Sequence, residues 1–172
     1  MRGCLPGQGQ GDGGELGLME SHDHADVKIH PPIMTALHLA AAVLLSRLFP
    51  FPATTPGWMI WLGILFVLAG LALAFAAVNQ FRAAGATLDP HGSVSAIVNA
   101  GPYRFSRNPI YLSFALTLIG LPLALGTYWG ILLTPVFTLL MNHLVIRHEE
   151  AYLEKKFGDV YTGYRSRVRR WL

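Results

Sequence analysis

The run from Trp58 to Val78, "WMIWLGILFVLAGLALAFAAV", holds 21 residues and neither an acid nor a base. At a rise of about 1.5 Å per residue, a helix of that length crosses the roughly 30 Å hydrocarbon core of a bilayer. Lipid offers no partner to a backbone N–H or C=O, so a continuous apolar run of this kind commits the chain to a membrane helix whose polar groups are paired internally. Composition agrees: 52% of the 172 residues are hydrophobic and 13% charged, where soluble domains carry about a quarter charged.

Three more spans follow from the same reasoning. Residues 33–49 contain His38 and end beside Arg47, whose head can snorkel to the interface. From Ile110 to Ile146 His143 is the one ionisable side chain apart from tyrosine, and the stretch is too long for one crossing. It divides at "LGTYWG", where glycines permit a turn and Tyr128 and Trp129 suit an interface, giving spans over 110–125 and 128–145. Pro122 and Pro135 fall inside these spans, tolerable as kinks if neighbouring helices serve the freed carbonyls. The expected fold is an all-α polytopic bundle of about four transmembrane helices. Residues 1–28 form a glycine-rich flexible tail, with Met19 as a second plausible start. Residues 29–172 form a single domain, with a loop over 79–109 and a tail over 146–172.

Four spans place both termini and the central loop on one side. Twelve of the 13 lysines and arginines then share that side, Arg47 alone excepted, and the positive-inside rule makes it cytoplasmic. The net charge of +3 therefore reports orientation, in a bacterial inner membrane on this reading, and nucleic acid is not an expected partner. The bilayer is. No metal is expected either: His22, His24 and His30 with Asp23 and Asp26 lie in a short polar run without fixed geometry. Cys4, the single cysteine, excludes an intramolecular disulfide. Oligomeric state is not readable.

Chemistry is concentrated on the cytoplasmic side. "GPYRFSRNPIY" (101–111) gathers two arginines and three aromatic residues just before a span. In the tail, Leu153, Phe157, Tyr161, Tyr164, Val168 and Trp171 recur every three or four residues, which draws an apolar stripe along helices broken near Gly158. Residues 164–172, rich in arginine, are expected to lie on lipid headgroups with Trp171 as anchor. Glu149 lies four residues before Leu153 and so continues the buried stripe, while Glu150 falls on its flank. Two acids facing Arg104 or Arg107 can form a structural staple. They can also bind a zwitterion: arginine takes a carboxylate bidentately, glutamate accepts from an amine or a sugar hydroxyl, and Tyr103, Phe105 and Tyr111 offer rings. S-adenosylmethionine has these groups, and a phospholipid headgroup shares many of them.

"GPYRFSRNPIYL", an apolar hairpin and then "EEAYLEKKFGDVYTGYRSRV", in that order, resemble the isoprenylcysteine carboxyl methyltransferase and phospholipid methyltransferase group of integral membrane enzymes, in its bacterial branch. The resemblance covers residues 81–172. It implies methyl transfer from S-adenosyl-L-methionine, bound by the C-terminal half, to a lipid or other lipophilic acceptor bearing a carboxylate, thiol or amine. By position it implies cofactor contacts at Ser95, Ala96, Ile97, Val98, Tyr103, Asn108, Pro109, Tyr111 and Glu149, and catalytic roles for Arg107, Arg147 and Glu150. Two positions depart from the pattern. Asn108 stands where the prenylcysteine enzymes carry histidine and cannot supply a proton near neutral pH. Arg147 is displaced by one residue, about 100° around a helix, with His148 in its place.

Two other classes compete. The arginines and glutamates can be a structural network in a non-catalytic membrane module, or His38 and His143, at matched depth in two spans, can ligate a haem.

Overall fold

The structure, a computed structural model, describes residues 29–50, 55–84 and 97–172. The described residues are helical and turn structure, without strands: α1 (Pro31–Leu48), α2 (Gly57–Ala83), a 3-10 turn (Gly101–Arg104), α3 (Pro109–Ala124), α4 (Trp129–Met141), a π segment (Asn142–Ile146), α5 (Arg147–Phe157) and α6 (Asp159–Arg165). Proline opens both α1 and α3. Its fixed φ is helical and its missing N–H is one the first turn would leave unpaired anyway.

Three helical runs are long and apolar enough to cross a membrane: Pro31–Leu48, Gly57–Ala83 and Trp129–Phe157. The fourth expected span is the shorter apolar helix Pro109–Ala124. The last run differs most from expectation. In place of a span ending near residue 145 and a separate tail helix, the chain stays helical for 29 residues to Phe157. That is about 43 Å at the standard rise, well beyond a 30 Å core, so its final turns stand clear of one apolar boundary. The break near Gly158 falls as the stripe predicts, with Gly158 at φ 51°.

Helix α2 buries only Gly63, Gly70 and Ala77, three small residues seven apart, while Trp61, Leu65, Leu68 and Phe75 face outward. It packs on α3 along that line. A Cβ on Gly120 would stand 2.6 Å from the Gly63 carbonyl oxygen, and one on Gly63 would stand 2.7 Å from that of Gly120. Lipid is as apolar as leucine, so membrane helices associate through close backbone approach of this kind instead of by hydrophobic burial. The main core lies between α1, α3 and α4, built from Met34, Ala115, Leu118, Phe137, Met141, Val145 and Ile146. A second, smaller one joins Ala77, Val98 and Tyr103 at the end of α2.

The α3–α4 turn sits at the same end as the α1–α2 connection, tied to it by Trp129 Nε1 donating to the Phe49 carbonyl (3.0 Å) and Thr55 Oγ1 to the Gly126 carbonyl (2.6 Å). The opposite end carries the 3-10 turn, α5, α6 and the C-terminal segment.

Candidate functional site

Pro102 and Pro109 bracket the loop 102–109, and the last residues of the chain strap it down. Arg107 N–H donates to the Arg169 carbonyl (2.9 Å), while Ser106 Oγ (3.3 Å) and Asn108 Nδ2 (3.0 Å) both donate to that of Arg170. Trp171 packs on the main core and donates from Nε1 to Asn142 Oδ1 (3.1 Å). The expectation that 164–172 lies on headgroups is therefore corrected. Helix α6 ends at Arg165, Tyr164 is buried with its hydroxyl donating to the Tyr103 carbonyl (2.8 Å), and the remaining residues fold back across the loop. The strap's carbonyls find donors in the loop that a headgroup layer would have had to supply.

A charged cluster forms beneath the strap. Glu150 is 6% exposed. Its Oε1 and Oε2 accept from Arg170 Nε (3.1 Å) and Nη2 (2.5 Å), a side-on bidentate pair that raises the Arg170 pKa. Arg107 Nη1 approaches the same Oε1 at 3.2 Å, within ion-pair distance but not aligned as a hydrogen bond. Arg107 is nine-tenths buried in its side chain. Among the described residues, its Nε and Nη1 are the two buried side-chain polar atoms without a hydrogen-bond partner. Tyr161 is buried, and desolvation together with the Glu150 charge outweighs the Arg107 cation and raises the phenol's pKa. The Tyr164 phenol, likewise desolvated, is pushed up to about 12.

Glu149 takes a different partner, accepting from the Tyr111 hydroxyl at 2.5 Å. The two acids are thus exchanged relative to the sequence periodicity: Glu150 is the buried one and Glu149 is half-buried. The π segment is the cause. Phe137, Met141 and Val145 point inward at intervals of four, which would lead next to Glu149. One extra residue in the π turn moves the inward line to Ile146 and then Glu150, both buried.

The other expected site residues are distributed as follows. Tyr103 is buried, tilted against Phe81 at 5.3 Å between centroids, and its phenol is driven upward by burial and then by the charges of Tyr164 and Glu149. Val98 is buried with it, Ile97 is half-buried, and Ser95 and Ala96 lie outside the described residues. Pro109 is buried at the first turn of α3. Asn108 spends its Nδ2 on the strap. Arg147 and His148 are exposed, and Arg147 joins none of the cluster's bonds. Phe105, expected to add a ring, is 73% exposed and points out of the site. Arg170, Tyr161, Ser106 and Asn142 belong to the cluster although motif reading did not single them out. His38 bonds the Met34 carbonyl of its own helix and packs edge-on against Phe137, while His143 is exposed, so the structure does not bring the pair together. No group of three or more metal-ligating side chains occurs among the described residues.

On the bundle side of Tyr111, whose ring lies 6.3 Å from that of Phe114, a cavity of about 300 Å³ opens between α1, α2 and α3. Thr35, Leu39, Gly70, Ala74, Phe114 and Thr117 are among its lining residues.

Membrane-length helices capped at one end by partly buried, oppositely charged side chains, with an apolar cavity in the bundle, define an integral membrane protein with a charged cluster at one end. Residues 58–160 match the phospholipid methyltransferase family, and the chain belongs to that family of membrane methyltransferases. A protein-S-isoprenylcysteine O-methyltransferase of Schizosaccharomyces pombe is 31% identical over 108 residues, 56% of this chain and 46% of the yeast protein. An uncharacterized protein of Haemophilus influenzae is 46% identical over 63 residues, which is its whole length and 37% of this chain. The aligned part thus spans about half of the yeast relative. No solved structure matches.

Proposed function

We propose that the chain transfers a methyl group from S-adenosylmethionine to a lipophilic acceptor held in the bilayer. The observation that carries this reading is Arg107, a buried guanidinium with two nitrogens that make no hydrogen bond, next to a half-buried glutamate braced by a tyrosine. An α-amino acid moiety needs that pair: a fork of donors for its carboxylate and an acceptor for its ammonium. A purely structural network accounts for Glu150, Arg170 and the ion pair at Arg107 Nη1 but leaves Arg107 Nε unpaired among the described residues.

Within this reading Arg107 holds the carboxylate and Glu149, oriented by Tyr111, takes the amine or a ribose hydroxyl. Tyr103 and Val98 wall the site, and the strap excludes water. Asn108 gives one amide hydrogen to the strap and keeps the other, with Oδ1, for the ligand. When bound, the cofactor supplies a methyl group already activated by its sulfonium, and the protein's task is to align the acceptor and keep the site dry. The cavity beside Phe114 suits the acceptor's hydrocarbon part.

An amine acceptor must also lose a proton, and the two side chains nearest that task in type, His148 and Glu150, are poorly placed: His148 is exposed and Glu150 is engaged by two guanidiniums. This favours a carboxylate or thiolate acceptor, which attacks without one. The distribution of basic residues supports an inner-membrane protein with its ligand site and both termini on the cytoplasmic side.

The test is to incubate membranes containing the protein with methyl-labelled S-adenosylmethionine and to follow label into lipid, protein or a small organic product. Transfer that depends on the protein is expected. Absence of cofactor binding by calorimetry in nanodiscs would overturn the reading.

A further inference from the structure

Glu150 sits between two arginines and is divided unequally. Arg170 engages both carboxylate oxygens, whereas Arg107 reaches one of them, at 3.2 Å and off the hydrogen-bonding direction. One acid and two bases leave this part of the cluster with one positive charge in excess. The excess resides at Arg107, whose Nη1 is ion-paired at one oxygen without a hydrogen bond and whose Nε makes neither.

We propose that Arg170 is a positioning residue: by gripping Glu150 on both oxygens it prevents that carboxylate from closing on Arg107, and so keeps Arg107 available to a carboxylate-bearing ligand. Without the Arg170 side chain, Glu150 is the nearest anion to an underpaired guanidinium in a poorly solvated site, and the two would form the bidentate pair that Arg and carboxylate favour. Arg107 would then be neutralised from within. The strap itself does not depend on this side chain. It is held by backbone carbonyls 169 and 170 and by the Trp171 indole, so Arg170 can be shortened while its main chain stays docked.

This rests on the cofactor reading above, and the experiment separates the two. Calorimetry of the full chain in nanodiscs compares wild type, Arg170→Met and Arg170→Met/Glu150→Gln, each with S-adenosylmethionine and with its decarboxylated form. Failure of the wild type to bind either ligand rejects the cofactor reading. If the wild type binds, Arg170→Met is expected to weaken S-adenosylmethionine about tenfold or more, the worth of a charged hydrogen bond, and to leave the decarboxylated ligand within about twofold. Removing the Glu150 charge as well is expected to recover most of the lost affinity, because nothing then competes for Arg107. Equal weakening of both ligands, no rescue in the double variant, or unchanged affinity in Arg170→Met would each overturn the proposal. Should the double variant fail to fold, the comparison of the two ligands on Arg170→Met still decides.

Discussion

The two ends of this bundle, and the helices between them, are held by opposite means. The α2–α3 seam works through what is missing: Gly63, Gly70 and Gly120 bring backbones together because no side chain intervenes. The charged cluster works through what is present, with Arg107, Glu150, Arg170, Tyr111 and Glu149 each defined by an atom-to-atom contact. A scaffold of the first kind tolerates almost any apolar residue on its outer faces, but none of size in its seam. A site of the second kind tolerates size changes poorly and charge changes worse.

Placing bulk in the seam should produce the largest effect. Gly120→Leu meets backbone atoms of α2 that cannot rotate away, and the expected outcome is loss of the folded bundle, read as aggregation on size exclusion in detergent. Glu150→Ala comes next. It strands two arginines, one of them buried, and is expected to cost about 3–5 kcal/mol in a reversible unfolding titration. If Glu150→Ala proves as mild as a surface change, the distinction between scaffold and site collapses.

Smaller effects sharpen the contrast. Tyr111→Phe leaves the ring packing and removes the hydroxyl from Glu149, so cofactor affinity should fall roughly tenfold, about 1.4 kcal/mol, in calorimetry. Asn108→Ala frees one donor from the strap and should cost about 1 kcal/mol, visible as faster amide exchange in residues 166–172. At the far end Trp129→Phe removes the bond to the Phe49 carbonyl. It should lower stability by about 0.5–1.5 kcal/mol while leaving cofactor affinity where it was.

The scaffold was largely legible in the sequence, because the property that makes α2 a membrane helix is a run of composition, readable without knowing its neighbours. The turn near residue 126 and the break near residue 158 could be read for the same local reason. The site was legible by type more than by position. The motif residues Arg107, Tyr111 and Glu149 do converge, with Glu150 among them, but the order of the two acids was reversed, because periodicity assumes one uninterrupted helical repeat and the π turn breaks it. Arg170 and the strap escaped altogether. A segment without regular structure has no period to read, and an arginine among several others carries no sign of which carboxylate it will meet.

The π turn has a consequence for how such chains diverge. A relative lacking one residue of 142–146 would run as an unbroken α-helix and keep its second glutamate on the inward line, because the π turn absorbs the extra residue and leaves the register after it unchanged. Closing the π turn into an α turn at constant length would instead rotate everything after it by about 100°, a rotary switch that exchanges the places of Glu149 and Glu150. A gap placed in this turn in an alignment therefore decides which glutamates are equivalent.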